Sequence, residues 1–255
     1  MSRDTAWQKI FEYHRMDKHD FDSSPYELPN SKIKEVSRYF NTTSDREVRV
    51  LCKMDTRESR PQVFKDRALF LLPTTNSSYV IVKGEGYIDI PSIEKTTEIY
   101  TSKLDYSLDT SSVGDSEMQH VDFAYASSLI RTALQDESLV LTIRGRKYTP
   151  TFSFRVGQSE IKVASVQTEV DAGYEGRTQV VLVEAKPAGV SNTIIRQLFY
   201  PYRQWQHFTK KQIVPFFFSK VANEYSMWRF EFTDPQDYNS IKLVDAQKFV
   251  IRSNT

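Results

Sequence analysis

Gln167-Thr-Glu-Val-Asp-Ala-Gly-Tyr-Glu-Gly-Arg-Thr-Gln-Val-Val-Leu-Val-Glu-Ala-Lys-Pro187 is the stretch around which the chain is organised. It reads as a strand, a tight turn near Gly176-Arg177 and a second strand. Val180 to Val183 is an unbroken apolar run, the pattern of a strand buried on both faces. Glu184 and Lys186 follow with only Ala185 between them, so strand alternation projects both from one face. By the same rule Glu169 and Asp171 share a face of the preceding strand. A turn at Gly176-Arg177 sets Glu184 roughly opposite Glu169. Asp171 then lies on the neighbouring diagonal, about 7 Å away.

Isolated charges at the end of a buried strand cost several kcal/mol, roughly, unless they are paired or bound to metal. A hard divalent cation resolves the conflict, because Mg²⁺ takes one or two protein carboxylates and leaves its other positions to water and substrate phosphate. A lysine beside it can orient a water or neutralise charge on a phosphorane-like transition state. Asp171, twelve residues and then Glu184-Ala-Lys186 resembles the PD-(D/E)xK nuclease superfamily, in the form its resolvase and restriction-enzyme branches use. Val170 stands where the family's name carries proline, a position without chemistry. Glu-x-Lys alone would read as a surface hairpin with an ion pair. The upstream acid, the apolar run and the helix that follows carry the likeness.

Composition sets the bounds. The 255 residues suffice for one large domain or two small ones with an ample core. A formal charge of +1 excludes a globally basic polyanion binder, so a DNA enzyme of this balance must gather its cations locally. The single cysteine, Cys52, excludes an internal disulfide and a Cys-based zinc site, and the four histidines show no metal spacing. Met1-Ser-Arg-Asp begins no apolar leader, and no run approaches the roughly 18 apolar residues of a membrane span. A cytoplasmic protein without membrane contact is expected.

Along the chain, residues 3–16 predict an amphipathic helix through Trp7, Ile10, Phe11 and His14. A second helix starts at Asn30 or Ser31 and runs to Phe40, and Val48 to Cys52 reads as a short strand. Lys53-Met-Asp-Thr-Arg-Glu-Ser-Arg-Pro61 is a basic loop in which Lys53, Arg57 and Arg60 are either solvated or contacts to a DNA backbone. Ala68 to Pro73 and Tyr79 to Lys83 flank a hairpin turn. Two helices and a hairpin suit a small winged module. Glu117 to Leu134 predicts one long helix with an apolar stripe. Leu139 to Arg144 predicts a strand, and Gly145-Arg146-Lys147 a basic turn. Thr151 to Val156 opens a further hairpin. Beyond the motif, Ser191 reads as the cap of a helix through Ile194, Leu198 and Trp205. Strands follow at 212–219, 227–232 and 241–251. The expected division is an N-terminal α+β part over residues 1–100, carrying DNA recognition, and a catalytic part over 101–255.

From residue 117 the order of elements matches the α-β-β-β-α-β core of the nuclease superfamily, so the resemblance implies a restriction-endonuclease-like mixed sheet flanked by helices. It further implies Mg²⁺ held by Asp171, Glu184 and the carbonyl of Ala185, with Lys186 orienting water. Glu169 is either a third acid or a partner for Lys186 or a hairpin arginine. Related nucleases use a helix glutamine to orient the site, which points to Gln197, although its spacing to Tyr200 and Tyr202 departs from the Gln-x-x-x-Tyr form. Arg196 and Arg203 are phosphate contacts or solvated helix charges. Arg144, Arg146 and Lys147 suit a basic ribbon turn entering a major groove. The whole layout looks like type II restriction endonucleases. That likeness implies cleavage of double-stranded DNA at one sequence, a homodimer and a cognate methyltransferase in the same system that is not a bound partner. The alternatives are a structure-specific repair or recombination nuclease and a non-catalytic DNA-binding module.

Overall fold

The computed structural model describes residues 3–187 and 189–252. It is a mixed α+β protein built on several sheets. The N-terminal unit opens with helix α1 (Arg3–Tyr13), strand β1 (Tyr26–Pro29) and helix α2 (Asn30–Ser37). Three one-turn helices follow, α3 (Thr43–Arg46), α4 (Val48–Leu51) and α5 (Gln62–Lys65). The unit ends in a hairpin of β2 (Leu69–Thr75) and β3 (Ser78–Lys83). Its strands form an antiparallel sheet in the order β1-β3-β2. Trp7, Ile10 and Phe11 of α1 are buried as their spacing predicts, with the Trp7 ring set edge-on to Phe64 at 4.8 Å.

The strand expected at Val48 to Cys52 is instead the helix α4. Val48 and Leu51 are the buried pair, three residues apart, whereas Arg49 is exposed and Val50 half-buried. A run this short holds too few residues to tell a period of two from 3.6. Tertiary contact decides it: the Trp7 indole N–H donates to the carbonyl of Leu51 at 3.1 Å, satisfying a carbonyl at the helix end.

Two short strands, β4 (Tyr87–Asp89) and β5 (Glu98–Thr101), lead into helices α6 (Glu117–Ala126) and α7 (Leu129–Ala133). Strand β6 (Val140–Tyr148), the hairpin β7 (Phe152–Val156) and β8 (Ser159–Val163), and the hairpin β9 (Gln167–Glu175) and β10 (Gln179–Lys186) come next. The chain then runs through β11 (Asn192–Ile194), α8 (Arg196–Gln206), β12 (Gln212–Val221), β13 (Glu224–Phe232) and β14 (Ile241–Arg252). Seven of these strands form one sheet in the order β5-β14-β13-β12-β10-β9-β6. β10 and β12 are parallel, as are β14 and β5, and the remaining pairs are antiparallel. The parallel step from β10 to β12 is made through α8.

The apolar run of β10 is explained by cover on both faces. Val181, Val183 and Ala185 pack on the side of α6 and α7, with Val121, Leu129 and Ile130. Val180 and Leu182 pack on the side of α8, with Leu198 and Phe199. Hairpin β2–β3 is two-sided as well. Leu69, Leu71 and Ile81 face the N-terminal helices, while Phe70, Leu72, Val80 and Val82 enter the same core as α8. The N-terminal sheet ends at Lys83 and β5 already belongs to the large sheet, so the chain changes units before residue 100. Among the described residues no helix is long and apolar enough to cross a membrane.

Three further expectations are corrected. The long helix at Glu117 to Leu134 breaks at Ser127-Ser128, where Ser128 is left-handed (φ 68°) and the Ser127 hydroxyl bonds back to the carbonyl of Ala124 at 3.1 Å. Gly145-Arg146-Lys147 is no turn, because β6 runs on through it to Tyr148. Gly145 takes φ +72° beside a register shift, so the glycine marks a bulge. Ser191 caps no helix; Asn192 to Ile194 first pairs with β4, and α8 starts at Arg196.

Gly173 on β9 sits where a Cβ would come within 2.6 Å of the Cβ of Ile143 on the neighbouring strand. Gly173→Ala is therefore expected to lower stability by about 1–3 kcal/mol, a fall of a few degrees in Tm, roughly. An unchanged melting curve would show that Ile143 retreats freely.

Candidate active site

The geometry of the motif follows from where its turn closes. The Gly176 N–H donates to the carbonyl of Gln179 at 2.8 Å, leaving Arg177 and Thr178 at the tip, one position later than expected. Pairing therefore runs Val180 with Glu175 through Val183 with Ala172. The next step along this register sets Glu184 across from Asp171, not Glu169. One residue at the turn thus moves the partner by two, to the acid better placed for Glu184.

Strand β9 also carries an irregularity at this point. Against β6, Gly173 pairs with Ile143 and Val170 with Gly145, so three steps on β9 match two on β6. The extra residue re-aims the strand. Val170 enters the core on the α8 side, and Asp171 lines the same cleft as Glu184 and Lys186. Past Val183 the ladder between β10 and β9 stops, and the Asp171 carboxylate accepts the Ala185 N–H at 2.8 Å in place of a carbonyl. Glu184 and Lys186 extend the row of Val180 and Leu182 toward α8. The Lys186 ammonium lies 2.5 Å from Glu184 Oε1, and the two side chains are only 18% and 12% exposed.

Burial is the main influence on these acids. It pushes the Glu184 carboxyl up to about 7, with Lys186 opposing and Asp171 adding to the rise. Asp171 is raised by burial too, against the Ala185 N–H and Lys186. For Lys186 burial works against the charge, but Glu184, Asp55 and Asp171 outweigh it and raise the ammonium's value. The cluster holds more negative charge than its lysine balances, so it calls for protons or a cation. Among the described residues no three His, Cys, Asp or Glu side chains converge to enclose a metal by themselves. Two carboxylates completed by water and phosphate oxygens are the arrangement Mg²⁺ commonly takes.

These groups line a cleft of about 1590 Å³ between the N-terminal unit and the large sheet. Glu169, Arg146, Arg196, Gln197 and Lys53 line it as well. Glu169 pairs with Arg146 at 3.2 Å, the hairpin-arginine option, and both are largely exposed. Gln197 accepts the Thr193 hydroxyl at 2.7 Å, and Arg196 lies 3.8 Å from Asp55. Lys53 is exposed, 3.5 Å from Asp55. The other basic residues that the sequence singled out, Arg57, Arg60, Arg144, Lys147 and Arg203, stand outside the cleft. Arg57 bonds Asp89, Glu85 and the Tyr87 carbonyl, and Arg60 bonds the Leu69 carbonyl and covers the Tyr87 ring. Arg144 pairs with Asp122, and Lys147 is exposed on β6. Arg203 donates to the carbonyls of Ser153 and Pro235.

Two acids beside the Asp171–Glu184–Lys186 cluster have no signal in the local sequence, Glu117 and Asp55. Ser116 caps α6 by accepting the Gln119 N–H at 3.2 Å, which sets Glu117 in its first turn beside the cluster. Burial raises the Glu117 carboxyl, with Lys186 opposing and Asp171 adding. Asp55 arrives from the N-terminal unit. Its carbonyl accepts the Ile194 N–H at 2.8 Å, and the buried Asn192 side chain accepts the Arg57 N–H at 2.8 Å while donating to Glu58. The loop is thereby stitched to β11. Asp55 carries no local signal, since its partners lie far along the chain.

Neither curated proteins nor solved structures provide a match to this chain. Two family models do match it, one over residues 4–81, a domain of unknown function (DUF6996), and one over residues 82–250, a domain of unknown function (DUF6997). The two meet at the end of the N-terminal hairpin. The second covers well over half of the sequence, and the chain belongs to the DUF6997 family.

Proposed function

We propose that the protein is a Mg²⁺-dependent nuclease of the PD-(D/E)xK type that cuts double-stranded DNA at one sequence, as type II restriction enzymes do. The observation that carries this reading is the meeting of Asp171 and Glu184, with Lys186 beside them, at the end of a strand buried on both faces. With the β7–β8 hairpin and β11 set aside as belonging to separate small sheets, the succession α6/α7, β6, β9, β10, α8, β12 supports a restriction-endonuclease-like core, since it follows the α-β-β-β-α-β order. The helices and hairpin of the N-terminal unit support a winged recognition module.

Asp171 and Glu184 would hold the cation, with the Ala185 carbonyl a further donor. Bound there, Mg²⁺ supplies charge neutralisation of the scissile phosphate and an acidified water. The chain's own part is electrostatic and positional. Lys186, held at 2.5 Å by Glu184, keeps its proton and offers a fixed positive charge to a water or to a phosphate oxygen. Arg196 and Gln197 at the start of α8 line the same cleft and can steady the phosphate and the ordered water.

A digest of linear duplex DNA with Mg²⁺ tests the reading. Discrete fragments whose ends map to one short sequence are expected, with cleavage stopped by EDTA and restored by Mg²⁺. Branched or flapped DNA should gain no advantage. Preference for a junction whatever its sequence would instead make this a structure-specific nuclease, and cleavage indifferent to chelator would remove the metal mechanism.

A further inference from the structure

The N-terminal unit brings a set of cations to the cleft that the site described above leaves unused. Lys34 on α2, Arg38 at its C-terminal cap, Arg46 closing α3 and Arg49 in α4 all line it, and all are exposed. Among the described residues none of the four has a carboxylate within ion-pair distance, unlike Arg57, Arg144, Arg146 and Arg196. The Arg38 side chain contacts the neighbouring Tyr39, through its hydroxyl and its ring. Of the nearby acids, Glu35 stands 3.8 Å from His14, and Glu47 is exposed between Arg46 and Arg49. A chain of net charge +1 thus places unpaired cations on the N-terminal lining of one cleft, and buried carboxylates at the end of its central strand.

The arrangement is informative about the ligand. A single small anion calls for donors that converge on one point. These four sit on or directly at the end of three successive helices and are exposed, as contacts to an extended polyanion are. Lys34 and Arg38 are one turn apart on the same face, about 6 Å along the axis at 1.5 Å per residue. That is close to two charge steps of one strand, about 3.4 Å each when measured along the duplex axis. Contacts of this kind fix register on the backbone without reading sequence. The tip of the β2–β3 hairpin adds Thr75 and Asn76 to the same lining.

We propose that Lys34, Arg38, Arg46 and Arg49 form the track that grips the phosphate backbone of duplex DNA and lays it across the cleft. The placement of the scissile phosphate rests on the nuclease reading, but the grip itself does not. The test uses the full chain in EDTA, where no cleavage occurs, and a fluorescently labelled DNA duplex of about two helical turns. Anisotropy titrations compare the wild type with a fourfold variant (Lys34→Ala, Arg38→Ala, Arg46→Ala, Arg49→Ala) over a range of salt. Wild-type affinity should fall steeply with salt. The variant should bind at least about tenfold more weakly on every sequence, with the slope of log K against log salt shallower by about 3–4, near 0.9 per lost phosphate contact. Neutralising the exposed Lys162 and Lys242, outside the cleft, should change neither quantity. If the fourfold variant fails to fold, Arg46→Ala and Arg49→Ala should each reduce the slope by about one.

No wild-type binding in EDTA, an unchanged slope in the variants, or stronger competition by duplex RNA than by duplex DNA would overturn the proposal. The two readings separate cleanly. Track-dependent binding without cleavage under Mg²⁺ defeats the nuclease and leaves the track. Cleavage with unaltered variant affinity does the reverse.

Discussion

Replacing Lys186 by alanine is expected to lower the rate of DNA cleavage by about 10²–10³-fold, the loss typical when one preorganised charge or donor is removed from a transition state. Glu184→Ala should do at least as much, because it removes a proposed metal ligand as well as the lysine's partner. Both variants should remain folded. Without Lys186 the Glu184 carboxyl, already pushed up to about 7, can take a proton and become neutral. Without Glu184 the lysine keeps Asp171 and Asp55 as nearby negative charge. Thermal melts establish folding and single-turnover gels give the rate. Cleavage surviving within about tenfold in either variant would place the chemistry elsewhere in the molecule.

The second large effect is on stability in the absence of divalent cations. Glu184 titrates near 7 in the folded chain against an ordinary value of 4.5, and Asp171 and Glu117 are raised as well. Between those limits the folded state binds more protons than the unfolded one, so stability falls as pH rises. The Glu184 contribution is greatest below pH 4.5, is lost progressively up to about pH 7 and is flat above it. Each unit of the raised value is worth about 1.4 kcal/mol. Denaturant melts in EDTA at pH 5, 6, 7 and 8 should show this decline, and Glu184→Gln should flatten it. Added Mg²⁺ should stabilise most at the alkaline end, where the carboxylates are free to bind it. Stability rising from pH 5 to 7 and unaltered by Glu184→Gln would mean that Glu184 carries no such burden.

The site was partly legible because its chemistry is local. Val180 to Val183, followed by charges two residues apart, reads as a buried strand with Glu184 and Lys186 on one face. The partner acid was less legible. Which residue closes a turn is a matter of one hydrogen bond, Gly176 to Gln179, and the misjudged tip sent Glu184 to Glu169 instead of Asp171. The extra residue of β9 that re-aims Asp171 has no signature in Glu169-Val-Asp171-Ala. Gly145 failed in the opposite sense, since a glycine amid basic residues reads as a turn and here serves a bulge. Val48 to Leu51 is too short for its period to decide between helix and strand. Asp55, Glu117 and the four cations of the track reach the cleft through tertiary contacts. One of these stitches, Arg57 to Asn192, spans 135 residues, and no local pattern foretells it.

The central functional claim is that Asp171 and Glu184 together form a divalent-cation site for phosphodiester hydrolysis. One side-by-side digest tests it most directly: wild type and Asp171→Asn, purified identically, on the same plasmid with Mg²⁺. Asp171→Asn keeps an oxygen to accept the Ala185 N–H while removing the charge that a cation needs. The wild type should yield discrete DNA fragments, and Asp171→Asn should leave the plasmid intact. An intact plasmid with both proteins, or equal cutting by both, would contradict it.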